Sequence, residues 1–168
     1  MASNAKQTLK AAAGIVLVAA WCVFIFLMSA KGGDASQGMS DGVIVSIIKL
    51  LYPGFEGLGP DVQAAAIGMW SFPVRKAAHL SEYALLGLLT SNAVVQVERA
   101  RVGYLNLRSD AKWLLLAALA FCVLFAASDE FHQLFVEGRS GQLRDVLIDS
   151  DGAAIGVLVA RLTLLRKG

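Results

Sequence analysis

The chain has 168 residues, of which 57% are hydrophobic and 17% are charged. Soluble domains are ~45–50% apolar and ~25% charged, so this composition argues against a soluble globular enzyme, a disordered chain and a disulfide scaffold. The net charge of +2 is too small to indicate nucleic-acid binding without a basic stripe. We therefore expect a small integral membrane protein with a single domain, residues 1–168.

The first predicted element is a membrane-spanning helix. Residues 11–30 contain no charged residue, and a bilayer core of ~30 Å needs about 20 helical residues. Lys6 and Lys10 precede this stretch, as basic residues precede the apolar core of a signal peptide. The apolar run is long for a signal peptide, and residues 28–30 make a poor cleavage site. We therefore expect an uncleaved helix.

The segment that follows, residues 31–74, is expected to form the first outer loop. Its Gly-rich and Ser-rich beginning, residues 31–38, is typical of irregular structure. Residues 43–51 are mostly apolar but too short to span, so we expect an interfacial or re-entrant helix there. Residues 61–70 are expected to form another short helix after a stretch rich in glycine and proline.

Three further spans are predicted at residues 77–97, 111 to about 135, and 146–165, because their charges lie near their ends. With the N-terminus inside, nine Lys and Arg residues lie inside and six lie outside, as the positive-inside rule favours. The nine inner residues are Lys6, Lys10, Arg99, Arg101, Arg108, Lys112, Arg161, Arg166 and Lys167. The sequence thus predicts an all-α bundle of four transmembrane helices with both termini in the cytoplasm.

Polar residues gather at the outer ends of three predicted spans. A charge at a helix centre costs about 2.5–3.5 kcal/mol on insertion scales, so such groups must pair or bind something. The group comprises Arg75, Lys76, His79, Glu82, Asp129, Glu130, Gln133, Arg139, Arg144, Asp145 and Asp149. We interpret it as a functional site, and the alternative is a network of ion pairs that fixes the helix register.

Helical spacing orients part of this group. Arg75, His79 and Glu82 fall within one arc of the second span, with Tyr83 beside them. Asp145 and Asp149 share a face of the fourth span with Gly152 and Gly156, whose small-xxx-small spacing permits close helix approach. The acidic face of the fourth span should therefore point into the bundle.

Two stretches also resemble the motifs of VanZ-like membrane proteins. They are VRKAAHLSEYALLGLL at residues 74–89 and SDEFHQLFVEGRSGQLRDVLID at residues 128–149. The family consists of small bacterial membrane proteins and is named for one associated with resistance to teicoplanin. The resemblance implies a bacterial inner-membrane location and a role in teicoplanin-type resistance or envelope homeostasis. It also implies motif positions at Lys76, His79, Glu82, Tyr83, Asp129, Glu130, Gln133, Arg139, Asp145 and Asp149.

The expected ligand is an anionic membrane lipid or a lipid-linked cell-wall precursor. Arginine holds phosphate in a bidentate manner, and histidine transfers protons near neutral pH. The expected catalytic residues are His79, Glu82, Asp129, Glu130 and Asp145. The expected binding residues are Arg75, Lys76, Tyr83, Gln133, Arg139, Arg144 and Asp149. The sequence leaves open whether the site turns a substrate over and whether the chain forms an oligomer.

A divalent cation is an open cofactor prediction. Carboxylates at helical spacing suit Mg²⁺, Mn²⁺ or Ca²⁺, and the candidate ligands are Asp129, Glu130, Asp145 and Asp149, with His79 as a further option. The competing function is a non-catalytic membrane scaffold or partner-binding protein. A transporter is less favoured, because the sequence shows no internal repeat.

Overall fold

The computed structural model describes residues 2–102 and 111–165, which form helices joined by short connections and contain no strand. The helices are α1 (Ala2–Ser29), α2 (Gly33–Leu51), α3 (Pro60–Val102), α4 (Ala111–Gln133) and α5 (Leu143–Leu165), with a 3-10 turn at Phe55–Gly57. The all-α prediction is confirmed. Arg108, Arg166 and Lys167, three of the nine basic residues used to orient the bundle, lie outside the described residues.

Two of the described helices are long and apolar enough to cross a membrane, Ala5–Ser29 within α1 and Ala111–Gln133. In the most apolar 18-residue stretch of the first helix, only 11% of the residues are buried, and in that of the second helix 28% are buried. Large apolar surfaces of this kind are unfavourable in water and favourable against lipid. They indicate a membrane protein.

The other two predicted spans lie on α3 and α5. Both are helices of sufficient length, but they do not reach the apolarity of α1 and α4. Of the four expected transmembrane helices, two are therefore supported by length and composition. The crossing of the membrane by α3 and α5 stays a prediction.

The predicted loop at residues 31–38 is wrong over most of its length, because α2 already begins at Gly33. The amide of Gly33 donates a hydrogen bond to the carbonyl of Glu137 (3.0 Å), and Asp34 lies in the first turn, where the helix dipole favours a carboxylate. Ser36 and Ile44 are buried along this helix. Tertiary contacts therefore offset the low helix propensity of its glycine and serine residues.

The predicted short helix at residues 61–70 is also wrong as a separate element. It is the first part of α3, which continues without interruption for 43 residues and is thus about 65 Å long. Pro60 suits the first helical position, where its missing N–H is not needed. Pro73 lies inside the helix and removes one backbone donor without ending it.

Glycine residues bring α3 and α5 into backbone contact. A Cβ atom at Gly152 would collide with the carbonyl oxygen of Leu80, and one at Gly156 with that of Ala84. Asp149, on the same face of α5, has no exposed surface. The prediction that the acidic face of α5 points inward is confirmed, and this packing places its carboxylates beside α3.

Candidate functional site

A cavity of about 190 Å³ lies between α1, α2, α3, α4 and the connection to α5. Its wall contains seven of the twelve predicted site residues. They are Arg75, His79, Glu82, Tyr83, Asp129, Gln133 and Arg139. Residues from three separate stretches of the sequence thus meet at one cavity.

Helix α3 supplies the largest share of this polar wall. Arg75, His79 and Glu82 are spaced by four and three residues, which places them on one helix face. The indole nitrogen of Trp21 donates a hydrogen bond to the backbone carbonyl of Glu82 (2.9 Å) and fixes α1 against this part of α3. The spacing within α3 and this cross-helix contact together hold the face against the cavity.

Helix α4 contributes a buried layer at its last turn, formed by Asp129, Glu130 and Gln133. The side-chain amide of Gln133 donates to Glu130 Oε1 (3.1 Å) and approaches Asp129 Oδ2 (3.4 Å). The backbone amide of Gln142 donates to Glu130 Oε2 (2.8 Å). Glu130 therefore anchors the chain that leads into α5, while Asp129 faces the cavity.

His79 and Asp149 join α3 to α5 next to this layer. His79 Nδ1 lies 3.3 Å from Asp149 Oδ1, and Asp149 has no exposed side-chain surface. Neither carboxylate oxygen of Asp149 has a hydrogen-bond partner among the described residues. The hydroxyl of Tyr83 and Asp129 Oδ1 are likewise buried without a partner there.

Lys76 and Asp145 form a separate ion pair between α3 and α5. Lys76 Nζ lies 2.6 Å from each carboxylate oxygen of Asp145, and both side chains are largely buried. Neither residue lines the cavity. The structure thus places Lys76 and Asp145, two predicted site residues, in an ion pair that joins α3 to α5 away from the cavity wall.

Arg139 closes one side of the cavity and binds the end of α1. Its guanidinium donates to the carbonyl oxygens of Lys31 (3.1 Å) and Met28 (3.4 Å), which lie just beyond and within the last turn of α1. Gly138, with φ of +70°, makes the turn that precedes it. Burial lowers the pKa of Arg139 from its usual value, and the charge of Arg75 lowers it further.

Arg144 is not brought to the cavity. Its side chain is 59% exposed, and its guanidinium lies 4.9 Å from the centre of the Phe72 ring. Its Nε atom is 4.0 Å from Asp145 Oδ1. The expectation that Arg144 joins Arg75 and Arg139 around one ligand is not supported by this placement.

The sequence interpretation missed a polar network that supports Arg75. Arg75 donates to Gln37 Oε1 (3.2 Å), and the amide of Gln37 donates to Asp41 Oδ1 (2.7 Å) and Ser71 Oγ (3.0 Å). Gln37 with Asp41, and Ser71 with Arg75, have the i,i+4 spacing of helical neighbours. This signal was hidden because residues 31–38 were interpreted as a loop.

The structure also changes the set of candidate metal ligands. His79, Glu130 and Asp149 each offer a ligand atom within 4.8 Å of the other two. Of the four carboxylates predicted from the sequence, this group contains Glu130 and Asp149 but not Asp129 or Asp145. His79, which the sequence indicated only as a further option, is one of the three members of this group.

A sequence model of the family described as VanZ/LLP1 matches residues 14–165. The match includes all of α2 to α5 and most of α1, and it contains both stretches on which the resemblance depends. No curated protein and no solved structure matches the chain.

Proposed function

The chain belongs to the VanZ/LLP1 family, and we propose that it binds the anionic head group of an envelope lipid or a lipid-linked cell-wall precursor. In this proposal α1, α3, α4 and α5 span the bacterial inner membrane, both termini are cytoplasmic and the cavity opens toward the outer leaflet. The observation that carries the proposal is the pair of arginines, Arg75 and Arg139, at one cavity.

The two guanidinium groups place two positive charges at the cavity. Burial is the main cause of the lowered pKa of Arg139, and repulsion from the charge of Arg75 lowers it further, whereas Asp129, Glu130 and Glu82 raise it. A phosphate between them would relieve this repulsion and would accept charge-assisted hydrogen bonds from both. Arg139 already donates to two backbone carbonyls, so Arg75 is the better placed of the two to reach a ligand.

Size and polarity limit what part of a lipid enters. The cavity of about 190 Å³ is smaller than the ~300–1,000 Å³ of sites that enclose a drug-sized molecule. A head group fits this volume, and the acyl chains would remain in the membrane. Glu82 and Asp129 would repel a phosphate, so the hydroxyl or amine groups of the ligand would face these carboxylates and Tyr83.

Modification of the bound lipid is the further part of the proposal. His79 lines the cavity with Glu82 and contacts Asp149, so it is placed to exchange a proton with a bound polar group. Asp129 also lines the cavity, and its Oδ1 atom is buried without a hydrogen-bond partner among the described residues. We therefore propose Asp129 as the carboxylate that takes part in the proton transfer.

Lipid capture by the purified full-length chain tests the binding step. The protein is incubated with a bacterial envelope-lipid extract, reisolated, and its bound lipids are measured by mass spectrometry. We expect enrichment of an anionic lipid, and a loss on the order of tenfold for Arg75→Gln, since a hydrogen bond to a charged group contributes about 1.5–3 kcal/mol. Arg101→Gln, an exposed arginine elsewhere on α3, is the matched control.

The same samples test modification. A lipid mass converted by the wild type and not by Asp129→Asn would show catalysis, provided both proteins melt at similar temperatures. Equal enrichment by Arg75→Gln and the wild type, or no enrichment at all, would contradict lipid recognition by this cavity. A rise in teicoplanin tolerance of a susceptible bacterium that expresses the wild type, and not Arg75→Gln, would support the proposed role in resistance.

The second candidate function is a non-catalytic scaffold, and one observation favours it. Lys76 with Asp145, and Arg139 with the end of α1, already have protein partners within the cluster. In a scaffold these contacts would hold the helices for a partner protein. This function predicts that Asp129→Asn, if folded, leaves every cellular phenotype of the protein intact.

A further inference from the structure

We infer that His79, Glu130 and Asp149 bind a divalent transition-metal ion where α3, α4 and α5 meet. Each residue comes from a different helix, and their ligand atoms lie within 4.8 Å of one another. Metal binding by this group does not depend on the nature of the lipid, so it can be tested apart from the proposed function.

Asp149 is the residue that most needs a partner. Its side chain is completely buried, and neither carboxylate oxygen has a hydrogen-bond partner among the described residues. A buried polar group without a hydrogen bond costs about 1–3 kcal/mol, and more when it is charged. A metal ion would satisfy both oxygens at once, which the nearby imidazole alone does not do.

The spacing of the ligand atoms agrees with shared coordination. His79 Nδ1 and Asp149 Oδ1 are 3.3 Å apart. Two ligands that each lie about 2.1 Å from one ion, at octahedral or tetrahedral angles, are roughly 3.0–3.4 Å apart. The carboxylates of Glu130 and Asp149 would balance the two charges of the ion, with His79 neutral.

Neighbouring groups orient the ligands and leave room for the ion. Glu130 is held by the side chain of Gln133 and the backbone of Gln142, as metal-bound carboxylates are usually held by outer hydrogen bonds. Each carboxylate oxygen retains a second lone pair for the metal. Lys76 donates to both oxygens of Asp145, and neither oxygen of Asp149 has a hydrogen-bond partner among the described residues.

The ligand set selects the class of metal. One imidazole and two carboxylates suit Mn²⁺ or Zn²⁺ better than Ca²⁺ or Mg²⁺, which prefer oxygen ligands throughout. Three protein ligands leave coordination positions for water. His79 also lines the cavity, so, if the proposed function holds, one of these positions would be within reach of a head-group oxygen.

The test uses the full chain in detergent, without a polyhistidine tag. The protein is treated with EDTA, dialysed, and titrated with Mn²⁺ or Zn²⁺ in a calorimeter, and metal content is measured by mass spectrometry. We expect one ion per chain and at least tenfold weaker binding by Asp149→Asn and Glu130→Gln. Asp151→Asn, an exposed aspartate on the same helix, should bind as the wild type does.

Spectroscopy on manganese identifies the imidazole ligand. Nitrogen coupling to bound Mn²⁺ should be present in the wild type and absent in His79→Gln, even at metal concentrations that saturate the variant. Failure of the wild type to bind either ion, or wild-type affinity in folded Asp149→Asn, would overturn the inference. Lipid capture by the same protein separates the two proposals. Lipid enrichment by a wild type that binds neither ion in the calorimeter would refute the metal site alone, and metal binding without lipid enrichment would refute lipid recognition alone.

Discussion

At the scale of single residues, the contact between α3 and α5 depends on glycines that have no side chain. Gly152 and Gly156 face the carbonyl oxygens of Leu80 and Ala84, and Gly87 faces that of Ala153. These neighbours are backbone atoms, which cannot rotate away as the end of a flexible side chain can. The close approach then buries Asp149 next to His79.

Replacement of one of these glycines should therefore destabilise the protein. In Gly156→Ala the new methyl group would collide with the backbone of Ala84, and overpacking of this kind costs about 1–3 kcal/mol. We expect a lower melting temperature in detergent. Gly68→Ala is the control, because a Cβ atom at Gly68 on α3 would meet no atom of another element within 4 Å and alanine favours a helix by about 0.5–1 kcal/mol over glycine. Equal melting of Gly156→Ala and the wild type would contradict this account.

The residues of the site were predictable where the information is local to one helix. The spacing of Asp145, Asp149, Gly152 and Gly156 by four, three and four residues indicated a single inward face, because helical periodicity alone determines it. The approach of Glu130 to Asp149 was not predictable, since no sequence pattern within α4 or α5 indicates which turns of the two helices contact each other. Arg144 shows the same limit: its charge suggested a ligand, but its helix position directs it to Phe72.

At the scale of helices, Lys76 and Asp145 join α3 to α5 through an ion pair with both partners largely buried. The attraction within such a pair is offset by the loss of hydration on both charges. The pair as a whole therefore adds little stability, whereas one charge left alone in the same place is strongly unfavourable.

A double-mutant cycle measures this asymmetry. Asp145→Leu should cost about 3–5 kcal/mol of stability, because it leaves the ammonium of Lys76 buried without its partner. The double variant Lys76→Met with Asp145→Leu should recover most of this loss, which unfolding of the four proteins in denaturant would show. Strictly additive effects of the two substitutions would mean that the pair does not couple the helices.

The helices themselves were predicted unevenly. Helices α4 and α5 begin within a few residues of their expected limits, because long apolar runs determine them. The beginning of α2 was missed because the amide of Gly33 is held by Glu137, a residue over a hundred positions away. The continuity of α3 was missed because a proline inside a helix and a proline between two helices look alike in a sequence.

At the scale of the whole molecule, α5 carries exposed apolar residues, as α1 and α4 do. Asp149 is buried against α3, so it adds no charge to the outer surface of α5. The exposed apolar residues of α5 are Leu143, Leu147, Ile155, Leu158, Val159 and Leu162. Asp145 and Asp149 are buried and do not face lipid, whereas Asp151 is exposed, so the crossing of the membrane by α5 stays a prediction.

Labelling of single cysteines distinguishes four crossings from two. Cys22 and Cys122 are replaced by alanine, and one cysteine is introduced at Lys6, Glu56, Arg101 or Ser140, all exposed positions that lie between the helices or at their ends. With four spans, a membrane-impermeant maleimide should label Glu56→Cys and Ser140→Cys on intact cells, and Lys6→Cys and Arg101→Cys only after permeabilisation.

If α1 and α4 alone cross, Arg101→Cys becomes accessible from outside and Ser140→Cys becomes protected. That pattern would place the C-terminal ends of α1 and α4 on opposite sides of the membrane, which contradicts their meeting at one cavity and the hydrogen bonds of Arg139 to the end of α1. The four-span pattern would instead leave the cavity at the outer ends of the helices, where a lipid head group can reach Arg75.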